Sequence, residues 1–246
     1  MPVCVGIRRE DKSVWERRVP IIPDHIGDLK SEGVDIVIQP SETRIYREKE
    51  FTAAGATVDE DLSKCPLVIG VKEIPPSFFR KGGAYMFFSH TIKGQSYNMA
   101  MLRRMMELEC QLIDYERVVD SKNRRLIFFG WHAGVSGMVE TLVALGRRLE
   151  HEGIKSPFGA VRQPHEYESI HEIKTALDVV GQWIAVEGLP TALRPLVVGF
   201  AGYGNVSRGA QEMLDVLPTT EVGPEDLSGI TADTAGAANS IFKVVF

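Results

Sequence analysis

The sequence is poor in cysteine. Cys4, Cys65 and Cys110 stand far apart in a chain of 246 residues. An odd number at such spacing builds neither a disulfide framework nor a metal-ligand pattern, so no metal is expected and a reducing, cytoplasmic compartment is. Long apolar runs are missing too. None can span a bilayer, and residues 1–7 read as a first strand rather than a signal peptide. Nor does one sign of charge dominate. The net charge of −5 gives no electrostatic reason to expect nucleic acid or an anionic membrane as a partner. Repeats and low-complexity tracts are absent. What is present, 44% hydrophobic and 25% charged residues, is ordinary for a globular protein, and the length suits one large or two modest domains.

Strand and helix signals alternate along the first half. Apolar runs at 3–7, 34–39, 67–71, 84–88 and 111–115 read as buried strands. Residues 23–32, 48–54 and 97–108 read as helices, the first with Asp24 as N-cap and Gly33 as C-cap. This alternation predicts α/β architecture, an open parallel sheet covered on both faces. A long helix follows over 134–149, with Val135, Met138, Val139, Leu142, Leu145 and Leu149 on one stripe. A second runs over 169–184 and is stopped by Gly188-Leu-Pro190. The expected division is a domain over 1–133, interdomain helices over 134–194 and a second domain from 195 to 246.

That second domain opens on Val197-Val-Gly-Phe-Ala-Gly-Tyr-Gly-Asn-Val-Ser-Arg-Gly-Ala210. It reads as a buried strand, a glycine turn and a helix start. A dinucleotide pyrophosphate needs that order: glycines admit the phosphates to the backbone, and the helix N-terminus offers N–H groups and a positive dipole end. Gly202 and Gly204 fill the first two positions of G-x-G-x-x-G, and Ser207 stands at the third. Asn205, Val206 and Ser207 complete the candidate cofactor-binding turn. The same glycines could instead serve only to pack a helix on a strand. For the acidic residue expected on the ribose, Glu221 and Glu225 are nearest. About fifty residues follow the start of the motif, too few for a whole nucleotide-binding domain. The sequence therefore reads as the front part of a longer protein, with the beginning of a Rossmann-type domain at its end. An open sheet edge there would favour homo-oligomers.

Ionisable residues gather at the ends of the predicted strands. Lys72 and Glu73 follow the third, His90 the fourth, and Glu116 and Arg117 the fifth, while Arg17 and Arg18 follow the first. In open parallel sheets that edge borders the ligand crevice. Each residue alone has a plain alternative, as a solvated strand end, a capping histidine or surface charge.

In order along the chain, Gly6-Ile-Arg-Arg-Glu10, Trp15-Glu-Arg-Arg-Val-Pro20, Gly70-Val-Lys-Glu73, Phe87-Phe-Ser-His-Thr-Ile-Lys93, Leu112-Ile-Asp-Tyr-Glu116, Ala133-Gly-Val-Ser-Gly-Met138 and Gly204-Asn-Val-Ser-Arg-Gly-Ala210 form one set. The set resembles the alanine dehydrogenase and saccharopine dehydrogenase superfamily. Within it, the lysine–2-oxoglutarate reductase domain of aminoadipate semialdehyde synthases is most similar. The resemblance implies a substrate domain ahead of the nucleotide-binding one. It implies condensation of lysine with 2-oxoglutarate and reduction of the imine by NADPH, or NADH, to saccharopine. It assigns Lys72 and His90 as the acid–base pair, Arg18 to a substrate carboxylate, and Glu73 and Glu116 to tuning the site or holding the substrate amine. A lysine acting as base needs a lowered pKa, which burial or a neighbouring cation such as Arg18 would provide. Two other readings stay open: another amino-acid dehydrogenase such as alanine dehydrogenase, and a non-catalytic module that keeps an amino-acid or nucleotide cleft.

Overall fold

The computed structural model describes residues 3–246 and divides at Phe128/Phe129 into two compact units. The first holds a six-stranded, wholly parallel sheet. Its strands are β1 (Val3–Ile7), β2 (Val34–Ile38), β3 (Thr57–Val58), β4 (Leu67–Ile69), β5 (Ala84–Phe87) and β6 (Gln111–Asp114), in the order β3-β2-β1-β4-β5-β6. Helices α1 (Ile26–Ser31), α2 (Glu48–Ala53) and α3 (Met99–Glu107) connect them.

Alternation along the strands feeds two cores, as a sheet covered on both faces requires. Ile7, Ile36, Ile38 and Ile69 pack with Ile26 and Phe51. Val68, Tyr85 and Phe87 pack with Phe79, Met101 and Met105. From β1 the chain turns to β2 on one side, and β4 continues on the other. The exits of β1 and β4 therefore diverge, and this reversal opens the crevice at which α/β sheets take ligands.

The third strand ends at Ile69, not residue 71, because the Val71 N–H turns to the Glu10 carboxylate instead of the sheet. The first helix opens with a 3-10 turn over Pro23–His25, so Asp24 lies inside that turn and caps nothing. Gly33 is one residue past the helix cap, at φ +84°, the left-handed conformation that ends helices at glycine. Strand β3 was not anticipated. Two residues are too few to show a period.

The second unit is a three-stranded parallel sheet, β7 (Val197–Phe200), β9 (Ile241–Val245) and β8 (Thr219–Glu221), with β9 in the centre. Helices α4 (Gly130–His151), α5 (Ile170–Glu187) and α6 (Asn205–Leu214) cover it. The helices expected to lie between domains belong to this unit. Their stripes (Val139 and Leu142 on α4, Leu177 and Ile184 on α5) bury against Met213, Leu214 and Ile241 in one core. The boundary falls at 128/129 rather than after 133 because α4 begins at Gly130.

Glycine sets how α4 and α6 cross. A Cβ on Gly134 would overlap the Val206 carbonyl oxygen and lie 2.8 Å from the Ala210 nitrogen. A Cβ on Gly209 would overlap the Trp131 carbonyl oxygen. Two backbones touch there, and only hydrogen fits between them.

Candidate functional site

The exits of β1, β4 and β5 carry a laced cluster of charged groups. Leaving β1, Glu10 reaches across the crevice. Its Oε1 accepts from the Val71 N–H at 2.7 Å and its Oε2 from the Lys72 N–H at 2.9 Å. Two residues on, Lys12 donates from Nζ to Glu73 Oε1 at 2.9 Å. His90, leaving β5, donates from Nδ1 to that same oxygen at 2.9 Å, and Asn98 donates to it at 3.3 Å. Lys72, Glu73 and His90, read separately as strand-end residues, thus share one neighbourhood.

His90 sits at φ +49°, a conformation uncommon outside glycine that is held only where the surroundings fix it. Here they do. Phe88 stacks on its ring at 6.1 Å between centroids, and buried Asn98 donates to the Ser89 carbonyl at 2.9 Å. Ser89 in turn donates to Asp114, whose other oxygen accepts from the Glu116 N–H at 2.8 Å. Asp114 therefore ties the exits of β5 and β6 together. Glu116 is tied to the cluster only by its backbone N–H, while its carboxylate pairs with Arg125 at 3.3 Å.

Glu73 is only 9% exposed, and burial pushes its carboxyl up. The donations from Lys12, its own backbone N–H, His90 and Asn98 outweigh that and bring it down to about 2. An ionised Glu73 accepts from Nδ1–H, which leaves His90 Nε2 as the atom able to exchange protons. The depressed value has a consequence for stability. A carboxyl that folding makes more acidic stabilises the fold in full above its ordinary value of 4.5, and that stability is lost as pH falls toward 2. Glu73→Gln is expected to flatten the loss of stability between about pH 5 and 2, measured by urea unfolding across that range.

Arg18 carries a second feature. Its Nε and Nη2 donate to the two oxygens of Glu16 at 2.7 and 2.6 Å, a bidentate fork. Burial pushes the Glu16 carboxyl up, but the Arg18 bonds prevail and hold it below its usual range, with Lys72 adding a positive charge nearby. The Lys72 ammonium makes no ion pair among the described residues. Arg17 turns elsewhere, donating to the Thr43 carbonyl at 3.3 Å.

The glycine turn of the second unit is built as expected. Gly202 takes φ +93°, Gly204 is the N-cap of α6, and Asn205, Val206 and Ser207 form its first turn. Gly204 has no side chain to cap the helix, and the Ser207 hydroxyl accepts from Gln211 at 2.9 Å rather than capping. Beyond their chain neighbours, no atom lies within 4 Å of where a Cβ would stand on Gly202 or Gly204. The ribose contact is different. Glu221 ends β8, β9 lies between β8 and β7, and Glu221 faces Lys243 at 3.7 Å. It stands two strands from the glycine turn rather than one.

Glu10, Lys12, Glu16, Asn98 and Asp114 were not singled out from the sequence. The mixed acidic and basic residues clustered after β1 are a signal. Asn98, a polar residue placed before a methionine-rich helix, gave a weaker one.

Comparison with known proteins bears on this geometry. Residues 6–136 match the family described as alanine dehydrogenase/PNT, N-terminal domain. The chain is 38% identical over 227 residues to the mitochondrial alpha-aminoadipic semialdehyde synthase of Rattus norvegicus, covering 92% of this chain and 24% of that protein. It is 30% identical over 213 residues to the saccharopine dehydrogenase (NAD+, L-lysine-forming) of Yarrowia lipolytica, covering 83% of this chain and 56% of that one. A solved L-alanine dehydrogenase shares the fold with a TM-score of 0.58 at 16% identity, over 98% of this chain and 60% of its own. The chain thus spans about a quarter of the length of the semialdehyde synthase and just over half of the saccharopine dehydrogenase.

Proposed function

This chain belongs to the alanine dehydrogenase/PNT N-terminal domain family, and from that premise we propose that it serves an oxidoreductase of lysine metabolism that condenses L-lysine with 2-oxoglutarate and reduces the imine to saccharopine. The observation that carries the reading is the lacing of Lys72, Glu73 and His90 at the switch point of the first sheet. Similarity to the semialdehyde synthase and the saccharopine dehydrogenase supports the lysine branch.

The chemistry asks for three things. The amine must lose a proton as it adds to the ketone, the hydroxyl must gain one to leave as water, and the carboxylates must be held. Lys72 and His90 form the acid–base pair. His90 works through Nε2, because Glu73 occupies Nδ1. Lys72 extends from a backbone fixed by Glu10, and its ammonium makes no ion pair among the described residues. Arg18 binds a substrate carboxylate and must share its guanidinium with Glu16 or exchange one carboxylate for the other. Glu73 and Glu116 tune the pair and offer negative charge to the lysine amine. Gly202, Gly204, Asn205, Val206 and Ser207 would hold the pyrophosphate of NADPH. When bound, the reduced nicotinamide supplies hydride.

Saccharopine formation from lysine and 2-oxoglutarate, set against alanine formation from ammonium and pyruvate, tests the reading. Turnover with lysine and none with ammonium is expected. The reverse preference would move the protein to the alanine branch.

A further inference from the structure

We infer that Glu10 is a positioning residue: its carboxylate, spanning the switch-point crevice from β1 to β4, fixes the backbone from which Lys72 and Glu73 project. The role assigned to Lys72 rests on the function proposed above; the mechanical part does not.

The geometry is specific. Consecutive N–H groups, those of Val71 and Lys72, point at the two oxygens of one carboxylate. They lie two and three residues past Ile69, where the Val71 carbonyl still accepts from the Phe88 N–H at 3.1 Å but the Val71 N–H has left the sheet. Buried backbone donors at such a point need an acceptor, and the β1 exit supplies it. Space is tight as well: a Cβ on Gly70 would stand 3.3 Å from Glu10 Oε1, so glycine before Val71 lets the carboxylate approach. Behind Val71 pack Phe88 and Tyr115, closing the apolar side of the loop.

The same exit segment grips the loop again two residues later, through Lys12 on Glu73. Glu10 and Lys12 together make β1 the clamp and β4 the clamped strand. Burial prevails and raises the Glu10 carboxyl above its ordinary value, against the opposing pull of the two N–H groups and the nearby Arg8. Glu10 lies among Arg8, Arg18 and Arg44, with Glu16 beside it.

Glutamine at position 10 keeps the shape but offers one acceptor where two are used. Its amide nitrogen meets an N–H donor head on. In Glu10→Gln, amide hydrogen exchange at Val71 or Lys72 should speed up by roughly ten-fold or more relative to Ile7 and Tyr85 in the strands. Glu73, followed by carboxyl carbon NMR, should titrate above its wild-type value of about 2 as its donors lose register. Glu10→Asp, one methylene too short to span both donors, is read by the same two probes and serves if the glutamine variant does not fold. In the condensation assay, Glu10→Gln should slow turnover in the wild-type background and add little in Lys72→Met.

Unchanged exchange at both amides and an unchanged Glu73 titration would overturn the inference. Slowing by the same factor in the Lys72→Met background would overturn the link to Lys72. If the wild-type protein forms no saccharopine, the functional reading fails, while exchange and titration still decide what Glu10 does.

Discussion

Lys72→Met is expected to lower the rate of saccharopine formation by about 10²- to 10⁴-fold, the usual contribution of a general acid or base. Methionine keeps an unbranched stem of similar length and removes the amine. The Lys72 ammonium makes no ion pair among the described residues, so its loss leaves no buried carboxylate bare. Stability should therefore change little while turnover collapses. His90→Gln should show a similar loss for a different reason: the amide keeps a donor for Glu73 but cannot shuttle a proton. The two losses should add to less than their product, because both residues serve the same proton transfers. Steady-state rates with lysine and 2-oxoglutarate, alongside urea unfolding of each variant, check all of this.

Gly134→Ala is expected to destabilise the second unit by about 3 kcal/mol, the upper end of the usual overpacking range. The sign is the informative part. In a solvated helix interior, glycine to alanine stabilises by up to about 1 kcal/mol. At Gly134 the added methyl would overlap the Val206 carbonyl oxygen and crowd the Ala210 nitrogen, both backbone atoms of α6 that cannot rotate away. One helix turn along α4, Gly137 faces open space, with no atom within 4 Å of a Cβ. Gly137→Ala should therefore be neutral or stabilising. Equilibrium unfolding of both variants tests the pair, and a destabilised Gly137→Ala beside a tolerated Gly134→Ala would mean that α4 and α6 do not cross in this way.

The glycines at the α4–α6 crossing show how far the sequence could be read. Gly134 and Gly209 are both visible inside motifs, but nothing local says that each meets the backbone of the other's helix. The parallel sheet was legible because its strands are apolar runs bounded by charge, and the charged residues at their ends marked the ligand edge. The lacing was not. Glu10 finds Val71 and Lys72 only when β1 and β4 become neighbours, a consequence of strand order that no local pattern encodes. The roles of Lys12 and Asn98 depend on the fold in the same way, since each acts on Glu73 from another segment. The short strands Thr57–Val58 and Thr219–Glu221 escaped notice because they carry almost no apolar signal and form by pairing with stronger neighbours. The position of β9 between β7 and β8 likewise follows from packing, and it moves Glu221 away from the place a ribose contact would take.

Calorimetric titration of the chain with saccharopine, in the wild type and in Arg18→Met, tests the central claim most directly. Saturable binding that weakens by roughly ten-fold or more in the variant, the share expected of a charge-assisted hydrogen bond, is the predicted result. Folded protein that does not bind saccharopine, or that binds alanine and pyruvate in its place, would contradict it.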